Sequence, residues 1–276
     1  MGVTVAGGTD SSTGSATELA AREHDYSVVI DNVTKIYRGR GPAVHALDNV
    51  TLNVKPGEFV SLVGASGCGK STLLNLVAGL DTPTAGTVTS VSRPALMFQE
   101  PALLPWLTVG QNISLALKYA GVPRPARASR VEELLAVVRL DGTAKRRPHE
   151  LSGGQRQRVA TARALAQESQ VLLMDEPFAA LDAITRDVLH DELTRIWTAT
   201  GLTVIFVTHN VREAVRLGQR VVLFSSRPGR VVREWSVDIT GPRTIEHPLV
   251  GDLASDITVS LREEIARHAT DAANRA

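Results

Sequence analysis

The chain has 276 residues, 43% of them hydrophobic and 21% charged, which suits one substantial core with a smaller subdomain and excludes disordered or fibrous proteins. A formal net charge of +1 supplies no global field for nucleic acid or an acidic membrane face, so the basic clusters Arg124 to Arg130 and Lys145 to Arg147 read as solvated surface. The single cysteine, Cys68, excludes an intramolecular disulfide. No apolar run approaches the ~20 residues that span a bilayer, and no basic-then-apolar leader opens the chain; the expectation is a cytoplasmic protein that meets a membrane only through a partner.

Residues 1–24 are rich in Gly, Ser, Thr and Ala without apolar periodicity and predict a flexible tail. A strand follows at Tyr26–Ile30, and Val50, Leu52 and Val54 alternate before Pro56 and Gly57 turn the chain into an apolar run, Phe59–Val63. Leu73, Leu74, Val77 and Ala78, closed by Gly79, have helical spacing. Two more short strands are expected at Gly86–Val91 and Ala95–Phe98, and these early strands together, short and partly alternating, suggest an antiparallel edge sheet beside a parallel core.

From Gln99 to about Gln167 the signals are helical. Three capping boxes predict helix starts, at Thr108 with Gln111, Ser129 with Glu132, and Ser152 with Gln155. The middle one leads the stripe Val131, Leu134, Leu135, Val138. The core resumes with Val171–Met174 and Thr203–Val207, near-continuous apolar runs that suit strands buried on both faces of a parallel sheet. Between them a helix is expected with Ile184, Val188, Leu189, Leu193 and Ile196 on its apolar face. Arg220–Phe224 and Arg230–Val237 predict closing strands around the Pro228-Gly229 turn, and Ser260–His268 a last helix.

The fold class is therefore α/β: a mainly parallel P-loop core, an antiparallel β subdomain and an inserted α-helical subdomain at about 100–168. The core unit is placed at 25–236 and a C-terminal extension at 237–276.

The chemistry gathers at strand ends, where parallel sheets bind ligands. After Val63 comes Gly64-Ala65-Ser66-Gly67-Cys68-Gly69-Lys70-Ser71-Thr72, a complete phosphate-binding loop between strand and helix. Its glycines let backbone N–H groups face phosphate oxygens and the helix N-terminus adds its dipole. Lys70 would reach the β/γ-phosphates and the Ser71 hydroxyl would ligate Mg²⁺. After Met174, Asp175 is the expected Mg²⁺ holder, and Glu176, pointing elsewhere, would polarise or deprotonate the attacking water. After Val207, His209 is placed to hydrogen-bond a γ-phosphate; by itself it would also fit a structural histidine.

Leu151-Ser152-Gly153-Gly154-Gln155 joins an N-cap to bare backbone amides at a helix start, a second anion site. One nucleotide seldom needs two cradles on one polypeptide, so this one is expected to act on a second molecule's nucleotide.

The ordered set resembles the nucleotide-binding subunit of an ATP-binding cassette (ABC) transporter. The phosphate loop Gly64–Thr72, the Q-loop at Phe98-Gln99, the signature Leu151–Gln155, the strand Val171–Glu176, the D-loop Ala180-Leu181-Asp182 and the switch His209 all match. Tyr37 falls where that family stacks an aromatic on adenine, although edge-strand packing would equally explain it. The resemblance implies ATP and Mg²⁺ as cofactors and a head-to-tail dimer in which Ser152 and Gly154 of one copy close over ATP held by Lys70 of the other. Gln99 would then link the γ-phosphate and Mg²⁺ to the helical subdomain, and Asp182 would communicate between sites. Partners would be a second copy, transmembrane permease chains and, indirectly, a solute-binding protein.

A finer resemblance, to the nitrate, sulfonate, taurine and bicarbonate importer group, is carried by Gln99–Val109, Phe178–Arg186, Val207–His209, Glu213-Ala214 and Ser226–Arg230. Gln155 and Asn210 depart from the Met and Asp common there, which loosens the solute assignment without removing a catalytic group. Gly241-Pro242-Arg243 also resembles that group. Leu103 to Trp106 form an apolar patch suited either to a permease helix or to packing within the helical subdomain. Cys68 could be an acidified thiol at a helix N-terminus or a small residue tolerated by the loop. A soluble cassette of the cluster-assembly scaffold type is the alternative to an importer.

Overall fold

The computed structural model describes residues 25–39, 41–179, 181–240, 243–244 and 247–273, with side chains to residue 267. The tail expected at 1–24, Ala180 of the D-loop and Gly241-Pro242 lie outside the described residues.

Two sheets organise the chain. A three-stranded antiparallel sheet runs β2 (Val44–Val54), β1 (Val28–Tyr37), β4 (Ala85–Ser90). A six-stranded sheet runs β5 (Ala95–Met97), β6 (Val171–Asp175), β7 (Thr203–Val207), β3 (Phe59–Val63), β8 (Arg220–Phe224), β9 (Val231–Ser236), parallel except for the closing β8–β9 pair. All five residues of β3 and of β7 are buried, which is why these segments carry no polar alternation.

The period of two sorts their side chains between layers. Val60, Leu62, Ile205 and Val207 face helix α1 (Lys70–Val77) and the antiparallel sheet. Phe59, Val204 and Phe206 face the opposite cluster, with Ala160 and Ala164 of α4 (Gly153–Leu165) and Leu189 and Leu193 of α5 (Ala183–Thr200). Phe206, fully buried, packs 5.8 Å from Phe59 and 5.9 Å from Phe178; Phe206→Ala would cost about 3–5 kcal/mol. Beyond β7 come α6 (Val211–Leu217) and, after β9, α7 (Pro248–Ala273).

The helical region between β5 and β6 has its own core. Val109, Ile113 and Leu117 of α2 (Val109–Tyr119), Val131, Leu134 and Leu135 of α3 (Arg124–Val137), and Val159 and Ala162 of α4 meet there. The capping boxes expected at Thr108 and Ser152 form. The one expected at Ser129 does not: α3 starts six residues earlier, with Pro123 as its N-cap and Pro125 in its first turn, and Ser129 donates from mid-helix to Glu133 Oε1 at 3.2 Å. Proline pre-set for a first turn outcompetes an internal serine as the start.

Three other boundaries differ from expectation. β1 continues to Tyr37 because it pairs with both β2 and β4. The apolar face of α5 is shorter, since Ile184 (79% exposed) and Val188 lie at the surface. Helix α7 starts at Pro248 rather than Ser260, because Val250, Ala254 and Ile257 pack on α6, β8 and β9 while Asp256 accepts from the Trp235 indole at 2.8 Å. Among the described residues no helix is long and apolar enough to cross a membrane.

Candidate active site

Because β6, β7 and β3 are neighbours in the sheet and parallel, their carboxyl ends bring three loops to one place. The loop after β3 holds Gly67 and Gly69 at positive φ (73° and 105°). A Cβ on Gly69 would come within 2.6 Å of the Ala46 carbonyl, so both conformation and space require glycine there. Lys70, 5% exposed, donates from Nζ to the carbonyls of Gly64 (2.9 Å) and Ala65 (3.0 Å). It thereby satisfies those oxygens at the edge of a groove of about 240 Å³ lined by Ser66, Gly67, Gly69, Lys70, Ser71 and Thr72. Cys68 also borders it, but is 1% exposed, with Sγ 3.5 Å from Lys70 Nζ. Of the two readings of Cys68, its burial favours a small residue tolerated by the loop over an accessible, acidified thiol: the side chain fills space behind the loop.

At the end of β6 the Asp175 carboxylate accepts from the Ser71 hydroxyl. Burial pushes Asp175 above the ordinary carboxylate range and the charge of Glu176 adds to this, against the Ser71 hydrogen bond and the charge of Lys70. Glu176 turns away with φ +46°, a left-handed conformation uncommon for a non-glycine residue, pinned by its N–H to the Val207 carbonyl at 2.9 Å. Strain at such a position persists only where neighbours fix it. Here it aims the carboxylate at the groove, whose wall includes Glu176, and brings Oε2 within 2.9 Å of His209 Nδ1. His209 is thus paired with Glu176 at the third strand end, and its ring stays 59% exposed.

Tyr37 lines the same groove from the end of β1. Its hydroxyl donates to Asp81 Oδ2 at 3.0 Å, and Lys35 Nζ, 4.9 Å from the ring centroid, also binds Asp81 at 2.6 Å. The ring is 41% exposed, fixed at one edge and open to a stacking partner. Arg227, from the β8–β9 turn, lines the groove too and donates from Nε and Nη2 to the Gly67 carbonyl at 3.3 and 3.2 Å.

The remaining candidates are not part of this groove. Gln99, two residues beyond β5, is exposed and does not line it. Ser152, Gly153, Gly154 and Gln155 start α4 elsewhere: Ser152 Oγ accepts the Gln155 N–H at 3.2 Å and Gln155 Oε1 accepts the Ser152 N–H at 3.0 Å. A Cβ on Gly154 would lie 2.6 Å from Thr185 Cγ2, so the start of α4 leans on the start of α5. That start is capped by Asp182, whose Oδ1 accepts the Thr185 N–H at 2.9 Å. This backbone bond first, with the Thr185 hydroxyl second, holds the Asp182 carboxyl below the usual range. Gln157 of α4 also donates to the Pro177 carbonyl, next to Glu176.

Sequence reasoning singled out neither Asp81 nor Arg227 individually. An aspartate following a helix carries no local signal, and Arg227 approaches the loop only because β8 pairs with β3.

Comparison with known proteins agrees with this geometry. The sequence pattern of a family described as "ABC transporter" matches residues 47–179. The chain is 44% identical over 245 residues to the taurine import ATP-binding protein of Rhizobium johnstonii, covering 86% of this chain and 94% of that one. It is 44% identical over 220 residues to the nitrate import ATP-binding protein of Synechocystis, covering 77% and 83%. A solved dimeric ATP-binding cassette, in a post-hydrolysis state bound to ADP and Pi, superposes with a TM-score of 0.68 at 36% identity, covering 77% of this chain and 100% of that one. On this agreement of sequence, fold and strand-end chemistry the chain belongs to the ABC transporter family, as one of its ATP-hydrolysing, ATP-binding subunits.

Proposed function

We propose that this chain drives an importer for a small anion such as nitrate, a sulfonate or taurine, working as a head-to-tail dimer on the cytoplasmic face of the membrane, held there by permease subunits. The observation that carries the ATPase chemistry is the pairing of Glu176 with His209 at 2.9 Å beside the Asp175–Ser71 pair. Glu176 accepts a proton from the attacking water, and His209 orients that carboxylate and bonds the γ-phosphate. Lys70 and the amides of Gly64, Ser66, Gly67, Cys68, Gly69, Ser71 and Thr72 hold the phosphates, and Tyr37 stacks on adenine.

The donor set fits Mg²⁺. Ser71 and Asp175 supply neighbouring hard oxygens, and no cluster of three or more His, Cys, Asp or Glu side chains among the described residues forms an all-protein metal cage. Mg²⁺ characteristically takes one or two protein oxygens and completes its shell with phosphates and water. Bound there, it would neutralise developing charge on the β- and γ-phosphates. Gln99 would join that shell only after the segment following β5 moves inward, as closure by the helical region at about 100–168 would do.

The second copy supplies Ser152, Gly153, Gly154 and Gln155 to the γ-phosphate, with Asp182 at the seam. This is supported by their position outside the chain's own groove and by the dimeric form of the related cassette. Permease contact is supported by Trp106, 66% exposed rather than packed inside, and by a groove of about 650 Å³ lined in part by Leu80, Phe98, Leu104 and Tyr119. Residues 25–236 form the cassette and 237–276 an extension docked on it through α7. The solute class rests on the names of the taurine and nitrate import relatives; a separate binding protein would present the solute.

Glu176→Gln is expected to trap an ATP-bound dimer and lower turnover by about 10²–10⁴-fold; wild-type hydrolysis would refute the assignment. Copurification with a permease separates an importer from a soluble scaffold, and titrating the cognate binding protein with nitrate, taurine, alkanesulfonates and bicarbonate identifies the solute.

A further inference from the structure

His190 lies on α5, 0% exposed, and no step above uses it. Its Nε2 is 2.6 Å from Oε1 of Glu213, itself 5% exposed on α6. The other Glu213 oxygen accepts from the hydroxyl of Thr208, the residue before His209, and the same hydroxyl oxygen accepts the Asn210 N–H at 3.0 Å. On its far side, His190 Nδ1 is 3.3 Å from Arg216 Nη1, and Arg216 also donates to Asp187 at 2.7 Å and Asp191 at 2.9 Å. A guanidinium has only donors, so Nδ1 must accept. The ring proton then sits on Nε2, and Glu213 accepts on both oxygens as a carboxylate.

This polar chain crosses an apolar layer, with the edge of Phe178 packed 5.3 Å from the His190 ring. Packing alone would be served as well by a leucine, since a buried polar network contributes stability only when every member is satisfied. What the network does provide is a fixed connection. It runs from α5, whose first turn bears Thr185 against Gly154, to Thr208, and the next residue, His209, holds Glu176.

We propose that His190 is a positioning residue: through Glu213 and Thr208 it sets the placement of His209, and so ties the switch histidine to the helix that touches the signature segment. The proposal rests on the catalytic role assigned above to His209.

The test is a double-mutant cycle on the full chain, following phosphate release. His190→Gln keeps a donor toward Glu213 and an acceptor toward Arg216, and should retain kcat within about twofold. His190→Leu, of similar bulk, should lower kcat at least about tenfold by misplacing His209, since small displacements in an active site cost up to ~10²-fold. KM for ATP should hold within about twofold, because Lys70 and Tyr37 are untouched. In a His209→Ala background, His190→Leu should have no further effect.

An equal loss in both backgrounds would overturn the relay while leaving the ATPase assignment standing. Wild-type turnover by His209→Ala alone would instead overturn the role of His209 and the relay with it. If His190→Leu does not fold, Thr208→Val, which breaks the other end, enters the same cycle with the same two readings.

Discussion

Gly229→Ala should disable nucleotide handling through steric pressure alone. Gly229 sits in the β8–β9 turn with its N–H donated to the Ala46 carbonyl at 2.9 Å and its own carbonyl accepting from the Asp48 N–H at 3.0 Å. A Cβ there would meet the Cys68 carbonyl oxygen at 2.2 Å and the Ala46 oxygen at 3.3 Å, where ordinary contact begins at 3.4 Å. Leu47 Cδ2, at 3.1 Å, can swing aside, but Cys68 O is phosphate-loop backbone and cannot move alone. Relief requires the turn and the loop to separate by roughly 1 Å, and overpacking of this kind costs about 1–3 kcal/mol. The same displacement carried into the loop's amides should lower kcat/KM by up to ~10²-fold. Gly251→Ala is the control: nothing lies within 4 Å of its Cβ position, it falls within α7, and the change should stabilise by about 1 kcal/mol. Urea midpoints and steady-state phosphate release on both variants decide the matter. A Gly229→Ala protein with the wild-type midpoint and wild-type kcat/KM would refute the reasoning.

Asp175→Asn should raise the unfolding midpoint at neutral pH while abolishing Mg²⁺-dependent hydrolysis, because burial disfavours the charged form in the folded chain. The sign follows from a folded pKa above the unfolded one: between the two values the folded state keeps a proton the unfolded state has lost. Asp175's contribution to stability therefore falls as pH rises through that window, and Asp175→Asn should flatten this slope in pH-dependent denaturation; an unchanged slope would count against it. Trp106→Ala should leave the turnover of the isolated chain within about twofold while weakening copurification with permease, and equal permease recovery would remove Trp106 from the interface. Cys68 should react with iodoacetamide only in denaturant, given 1% exposure; fast labelling of the native chain would contradict its place behind the loop.

The sheet was legible because β3, β6 and β7 are apolar almost throughout, and a run of that kind has one stable home, between two layers. The phosphate loop and the acids were legible because strand ends in a parallel sheet share one edge, so sequence position predicts spatial convergence. What escaped was decided by tertiary neighbours, with one local exception at the start of α3. Ser129 has a capping box's spacing, but prolines upstream set the helix start. Ile184 has core spacing but lies beyond the part of α5 that the sheet covers, and is left exposed. Arg227 reaches the groove, and Asp81 the Tyr37 ring that borders it, through strand pairings made far along the chain. Glu176's left-handed backbone leaves no trace in residue type, since a glutamate is not where such a conformation would be sought.

Helix α4 carries more than the signature. Near its far end Arg163 donates to the carbonyls of Ala102 at 2.6 Å and Pro101 at 2.8 Å, gripping the segment that leads to Trp106. Ser152 and Arg163 are separated along the helix axis by about 16 Å at 1.5 Å per residue. An α-helix does not stretch over such a span, so the two ends form a rigid lever. A swing that brings Ser152 onto a neighbouring copy's nucleotide must drag residues 101 and 102 along with it. On the proposed dimer and permease contacts, one rod would then join the nucleotide to the membrane chains, and loosening the Arg163 grip would let ATP turn over without delivering work.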